Sequence, residues 1–290
     1  MDVALTLAGI VVIVLGLRDM FHSLLHPEGQ GTLSHLVLAG IWRVSRLLRH
    51  RFGSASGPGG MVAAILMWVL LQSVGWALIY LPRIPEGFSY SGVDPAQYPD
   101  FAQALYMSFT ALSTVGFGDV VAIDPWIRLA SPLQALTGFA LLTAALTWFT
   151  QVYPPLARRR AFALEMRNLH RAGYVERLGE LETTTASGLL DGLARHAELA
   201  SIDLIQHSES YYFVEIHDDL SLARQLPRAL EFRDAGHQSQ SPDVQLAAER
   251  LSFSLDRLGS ALDKFLVEAG DDLESTFSAY AADHERSHAS

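Results

Sequence analysis

The chain has 290 residues, 50% of them hydrophobic and only 18% charged, with a mean hydropathy of +0.20, a balance that suits a protein partly embedded in a membrane. It contains no cysteine, which excludes disulfides and thiolate metal sites. Its net charge of −10 gathers in residues 154–290, where 23 Asp/Glu face 14 Arg/Lys, so two domains are expected, an apolar one and then an acidic one, and nucleic acid is an unsuitable partner.

Val3–Leu17 is a run of 15 uncharged residues that spans a bilayer only by continuing through Arg18 and Asp19 towards Leu25. A secretory leader is the alternative. The start MDVALTL, however, carries Asp2, lacks a basic residue and leads to no clean small-x-small site, so residues 1–25 are predicted as a membrane helix. His22 and His26 lie four apart, a spacing that can hold a metal, but no third ligand accompanies them and an interfacial pair is the plainer reading.

Over residues 32–52, Leu33, Leu36, Val37, Gly40, Ile41, Val44, Leu47 and Leu48 recur at helical spacing and leave Arg43, Arg46 and Arg49 on the other face. Arginine at every third position also marks voltage-sensing helices, but those need preceding spans with acidic partners, and only one short run precedes this one. The segment is predicted as an interfacial amphipathic helix with its basic face towards lipid headgroups.

Met61–Leu81 offers 21 uncharged residues and Leu129–Tyr153 offers 25, each enough to cross a hydrocarbon core of about 30 Å. They give helices over 60–82 and 126–153. Between them, Phe101–Leu112 (FAQALYMSFTAL) is helix-compatible but too short to span, which predicts a pore-type helix over 100–112 with Asp100 as its N-cap. Arginine clusters before the second span (Arg43, Arg46, Arg49, Arg51) and after the third (Arg158, Arg159, Arg160), whereas the connection 82–124 sets Arg83 against Glu86, Asp94, Asp100, Asp119 and Asp124. Basic flanks stay inside. The connection is therefore re-entrant from outside, the C-terminus is cytoplasmic, and the expected location is the cell membrane, crossed more than once.

Residues 113–119 read Ser-Thr-Val-Gly-Phe-Gly-Asp. A short extended segment presents its carbonyls in rows only if alternate residues take backbone angles denied to most L-residues, and Gly116 and Gly118 meet that need. A match of this kind arises by chance on the order of once in ten million positions; a Gly-rich hairpin turn is the bland alternative.

Outer helix, short helix, STVGFGD and inner helix, in that order over residues 60–153, resemble the pore module of two-transmembrane bacterial potassium channels. The resemblance implies an all-α membrane protein: a tetrameric pore module with an extra N-terminal helix and a mainly helical cytoplasmic domain. It implies a passive potassium-selective channel that needs no cofactor beyond permeant potassium, held by the carbonyls of Thr114, Val115, Gly116, Phe117 and Gly118, with the Thr114 hydroxyl at the inner end. One filter per chain implies a homotetramer, since a dimer would need a second TxGxG. Trp126 and Arg128 fall where this family commonly carries Trp and Arg. Gly138 is either its gating hinge or a close-packing site, and Leu142, Thr143 and Leu146 are expected to line the cavity. Phe117 replaces the commoner Tyr, and Ser113 a frequent Thr. Thr110 stands where some relatives have a Glu that pairs with the filter Asp, so Asp119 needs another partner; Tyr106 is the candidate.

Pro154-Pro155 is expected to interrupt the inner helix at the membrane boundary and to act in gating. Beyond it, 156–182, 186–206, 218–234 and 243–269 read as helices, Gly236–Ser241 as a linker, and Ser210–Ile216 (SYYFVEI) as the one strand-like run. Val244, Ala248, Leu251, Leu255, Leu258, Leu262, Phe265 and Ala269 form a coiled-coil-like seam, widened by Ala247, Ser254, Gly259, Ala261 and Leu266 towards a bundle face; whether its partner helices come from the same chain stays open. His284 and His288 fall in a tail expected to be disordered. No GxGxxG follows a strand, and no nucleophile, base and orienting group stand together, so neither a nucleotide ring nor an enzyme is expected and the domain's ligand or partner is unknown. A nonconducting membrane-anchored sensor or scaffold is the alternative function.

Overall fold

The computed structural model describes residues 2–25, 31–48, 50, 53–266 and 272–284. His26, Arg49, Arg51, Ala269 and His288, all named above, lie outside them. In chain order the elements are helices α1 (Asp2–Leu25), α2 (Thr32–Leu47) and α3 (Ser56–Tyr80), strand β1 (Phe88–Tyr90), α4 (Asp100–Leu112), β2 (Val120–Ala122), α5 (Pro125–Arg171), α6 (Tyr174–Arg177), α7 (Thr183–Gln206), α8 (Leu222–Gln225), α9 (Pro227–His237), α10 (Pro242–Asp263) and α11 (Leu273–Asp283). The fold is that of an all-α membrane protein: α1, the segment Gly53–Arg83 built on α3, and α5 are long and apolar enough to cross a bilayer. Two compact units divide it, residues 1–37 with 62–149 and residues 38–61 with 150–290.

In the first unit α1 packs on α3 through small residues. A Cβ on Gly9 would lie 2.5 Å from the Gly75 carbonyl oxygen, and one on Gly75 would lie 2.7 Å from Ile13 Cγ1, so the two backbones approach as only glycine permits. The charge inside α1 also has a purpose. Asp19 is buried and accepts hydrogen bonds from the backbone amides of Leu33 (2.7 Å) and Ser34 (3.1 Å) and from Trp68 Nε1 (2.8 Å). It thereby caps the start of α2 from a neighbouring helix, satisfying donors that an open helix end leaves orphaned.

The stripe of α2 buried within the protein is Ser34, Leu38, Trp42 and Ser45, whereas Leu36, Val44, Leu47 and Leu48, part of the apolar face expected at the lipid interface, are exposed. The large Trp42 side chain finds a partner for its ring N–H in Asp283, which ties that stripe to the chain.

In the second unit α7 and α10 pack along their lengths, with α9 and α11 also against α10. The seam Val244, Ala248, Leu251, Leu255, Leu258 and Leu262 is buried. Its partner helix therefore belongs to the same chain. Three expectations need correction here. First, α5 does not stop at Pro154-Pro155 but runs on to Arg171; two amide donors are lost, yet Leu156, Phe162 and Met166 are buried and hold the extension in place. Second, Ser210–Ile216 is not a strand: Ser208–Tyr212 forms a 3-10 turn, with Tyr211, Tyr212, Phe213 and Val214 all buried, so the run is apolar because it is enclosed, not because it alternates. Third, α10 ends at Asp263 rather than at 269.

His284, expected in a disordered tail, is likewise buried, with Nε2 2.8 Å from the Tyr211 carbonyl oxygen and Nδ1 3.2 Å from that of Tyr280. Burial holds its imidazole down to about 4, against the opposite pull of the Tyr211 carbonyl. Because the folded value lies below the unfolded one of about 6.5, the stability that neutral His284 contributes is complete above pH ~6.5 and is lost as pH falls towards 4, by up to about 3 kcal/mol. Melting curves of the protein in detergent should show this decline between pH 7 and 4.5, and His284→Gln should flatten it; an equally steep decline in the variant would remove the group from the account.

Candidate functional site

Alternating backbone handedness is the central observation at residues 113–119. Thr114, Gly116 and Gly118 have φ of 58°, 50° and 80°, whereas Val115 and Phe117 between them do not have positive φ. Alternation of left- and right-handed residues turns successive carbonyls to the same side of the strand. Among the described residues, none donates a hydrogen bond to the carbonyls of Thr114, Val115, Gly116, Phe117 or Gly118. Five oxygens thus stand in a row without a protein partner on a segment that the single chain leaves exposed. The alternation begins at Thr114, a β-branched residue for which this region is costly, and not only at the two glycines; such strain persists where the surroundings impose it and collects at functional sites.

The row starts directly from α4, whose last turn feeds it through Ser113 N to Phe109 O (2.9 Å), Thr114 N to Ala111 O (3.1 Å) and Val115 N to Thr110 O (3.2 Å). The carbonyl end of α4 consequently sits beside the row and adds its partial negative charge to that of the oxygens. Pro99, not Asp100, is the N-cap residue; the first bond runs from Gln103 N to the Pro99 carbonyl at 3.2 Å. The Ser113 hydroxyl donates back to Phe109 O (2.7 Å) and that of Thr110 to Met107 O (3.0 Å), so both are spent on their own helix.

Packing sets the position of α4. A Cβ on Gly138 would overlap the carbonyl oxygen of Leu112, the last residue of α4, so the absence of a side chain at 138 lets α5 reach the base of the row. One turn earlier, buried Gln134 donates through Nε2 to the Ser108 carbonyl (2.8 Å) and hydroxyl (2.7 Å) and accepts from the Tyr80 hydroxyl (2.7 Å), while Ser108 Oγ donates to the Ser73 carbonyl (2.7 Å). This network joins α3, α4 and α5 with directional bonds in surroundings where an unpaired polar atom is expensive. Ile127, Gln134, Leu141 and Trp148, seven residues apart, form the buried seam of α5.

At the other end of the row the Tyr106 hydroxyl donates to Asp119 Oδ2 at 2.7 Å. Strands β1 and β2 pair antiparallel, Phe88 with Ala122 and Tyr90 with Val120, and Ser91 N donates to the Asp119 carbonyl at 2.7 Å. Gln103 braces the same corner: it accepts from the Tyr90 hydroxyl (2.6 Å) and donates to the carbonyls of Pro95 (2.8 Å) and Tyr98 (3.0 Å). Two further acids of the connection 82–124 are likewise occupied. Asp94 caps a short turn through Ala96 N, and Asp124 caps α5 through Trp126 N and Ile127 N.

Val115, Phe117 and Trp126 are exposed on the single chain, as are Leu129, Leu133, Leu136, Phe139, Leu142 and Leu146 along α5; Thr143 is exposed beside them, its hydroxyl returned to Phe139 O. Pro154 and Pro155 lie within the continuous α5, in the part of it that belongs to the second unit. Gln134, Gln103, Tyr80 and Ser108 escape a motif reading; a glutamine inside the uncharged run Leu129–Tyr153 was the available signal.

No solved structure matches the chain. Residues 64–153 match a family model described as an ion channel, a segment that contains most of α3, all of α4, the carbonyl row and the apolar part of α5. This part of the protein is similar to an ion-channel pore module, and the match supports that reading of residues 64–153.

Proposed function

We propose that the protein is a potassium-selective channel of the cell membrane in which four copies surround one axis, with the acidic second unit on the cytoplasmic side. The supporting observation is the row of five unpartnered carbonyls, ordered by positive φ at 114, 116 and 118. Four such rows would encircle a dehydrated cation with oxygens at each level and pass ions between levels by mutual repulsion. The exposed apolar faces at Val115, Phe117 and α5 are the surfaces such an assembly would cover or turn to lipid and the inner cavity. Leu142, Thr143 and Leu146 are the proposed cavity positions. Movement of α5 would gate the pore; Gly138 has a packing role in any case.

Reconstitution into potassium-loaded liposomes tests this directly. Flux should favour potassium over sodium by at least tenfold, and the absence of any flux from a folded protein would defeat the channel reading in favour of an anchored scaffold. Tyr106→Phe removes the hydroxyl that holds Asp119 and is expected to change the rate of filter inactivation severalfold with selectivity kept. Patch-clamp decay times measure it, and unchanged decay would deny the pair a functional role.

A further inference from the structure

Residues 208–215 are where four separated segments of the second unit meet. From α5, buried Arg159 donates to the carbonyls of Ser210 (2.8 Å) and Phe213 (2.9 Å) and pairs with Glu215 (3.3 Å). Its neighbours are held as well: Arg158 is bidentate on Asp203, and Arg160 reaches Glu215 at 2.9 Å. From the start of α3, Ser56 Oγ approaches the Tyr212 carbonyl at 3.5 Å, and Gly57 lies so close to Phe213 that a Cβ there would sit 2.6 Å from the ring. From α2, the Trp42 ring contacts Tyr211 and Tyr212 with centroids 5.8 and 5.7 Å apart. One short segment therefore fastens the proposed inner helix to the start of the outer helix.

The C-terminal helix closes this junction. The buried Asp283 carboxylate accepts from Trp42 Nε1 (2.8 Å), the Tyr211 hydroxyl (2.6 Å) and Arg46 (3.1 Å), and the Asp283 carbonyl lies 2.9 Å from His50 Nε2. Phe277 and Tyr280 of α11 are buried beneath it. Docking of this kind is directional: on release each polar bond is exchanged for one with water and the carboxylate regains its hydration, which leaves the exposure of Phe277 and Tyr280 as the main cost of undocking this one helix.

We infer that α11 is a releasable brake on the pore, which while docked on α2 and residues 208–215 keeps the near ends of α3 and α5 from moving apart. The inference rests on the channel reading, because opening by α5 requires it to shift relative to α3 at the end that this junction fastens. Release of α11 loosens the junction and raises ion flux.

The natural absence of cysteine makes the test clean. Potassium flux is measured in liposomes at matched protein density for the full chain, for Asp283→Asn and Asp283→Ala, and for Arg46→Cys/Asp283→Cys before and after a short, reducible bis-thiol crosslinker. Hydrogen exchange over residues 273–284 monitors docking. Asp283→Ala and the uncrosslinked double variant should exchange faster there and conduct at least threefold more than the parent, with Asp283→Asn between. Crosslinking should return flux to the parental level or below, and reduction should restore it. Faster exchange with unchanged or lower flux, or a crosslink without effect, overturns the brake while leaving the channel intact. Absence of potassium flux in every variant and in the parent overturns both. Should Asp283→Ala fail to assemble, Asp283→Asn and the reducible crosslink still decide the outcome.

Discussion

Gly138→Ala is expected to lower potassium flux at least tenfold and to loosen the selectivity of what remains. The added methyl would overlap the Leu112 carbonyl oxygen, which is backbone and has no rotamer to relieve the clash. Either α5 retreats or the end of α4 shifts, and overpacking of this kind costs about 1–3 kcal/mol in each chain. A shift of Leu112 carries Ser113 and Thr114 with it, since both are bonded to the last turn of α4. The packing and hinge roles of Gly138 separate in this experiment. Loss of a hinge alone reduces opening but leaves the potassium-to-sodium ratio and the melting temperature as they were, whereas loss of the close contact lowers both. A variant that conducts less at parental selectivity and stability would return Gly138 to the hinge.

Gly116→Ala is expected to abolish potassium selectivity for a different reason. Nothing lies within 4 Å of the position a Cβ would take, so there is no clash in the single chain, but φ is +50°. An L-residue pays about 1–2 kcal/mol to stay in that conformation, or about 4–8 kcal/mol over the four copies of the proposed assembly. The alternative is to flip to negative φ and turn a carbonyl away from the row. Gly92, with φ of +75° and equally open surroundings, is the control, because it lies outside the row. Gly92→Ala should have the same local cost without changing the ion ratio. Flux ratios for potassium and sodium across both variants measure the difference; tenfold selectivity retained in Gly116→Ala would show that the row does not depend on handedness at that residue.

The parts of the fold that were legible in the sequence are those set by contiguous residues. Uncharged runs located α3 and the apolar part of α5, and a short run flanked by polar residues gave α4 its bounds, since helix length against bilayer thickness needs no partner. For α2 the amphipathic period was legible but the stripe packed within the protein was not, because it centres on Trp42, whose ring N–H donates to Asp283 241 positions away. The β1–β2 hairpin was missed for the same reason. Its strands have three residues each and pair across the whole of α4 and the carbonyl row, so neither carries a turn signal or an alternating pattern. Pro154-Pro155 misled in the opposite direction: a local rule against helix was overridden by the anchoring of Leu156, Phe162 and Arg159 beyond it.

The candidate site divides in the same way. Glycines at 116 and 118, the short helix before them and the spanning run after them follow from the sequence alone, because backbone freedom and hydropathy belong to single residues and short windows. Tertiary structure decided that Thr114 shares the left-handed conformation, that Gly138 leaves room for the end of α4, that Gln134 joins three helices, and that Asp283 gathers Trp42, Arg46 and Tyr211. Each of these depends on which distant atoms fill the space around a residue, and that is settled only when the helices pack.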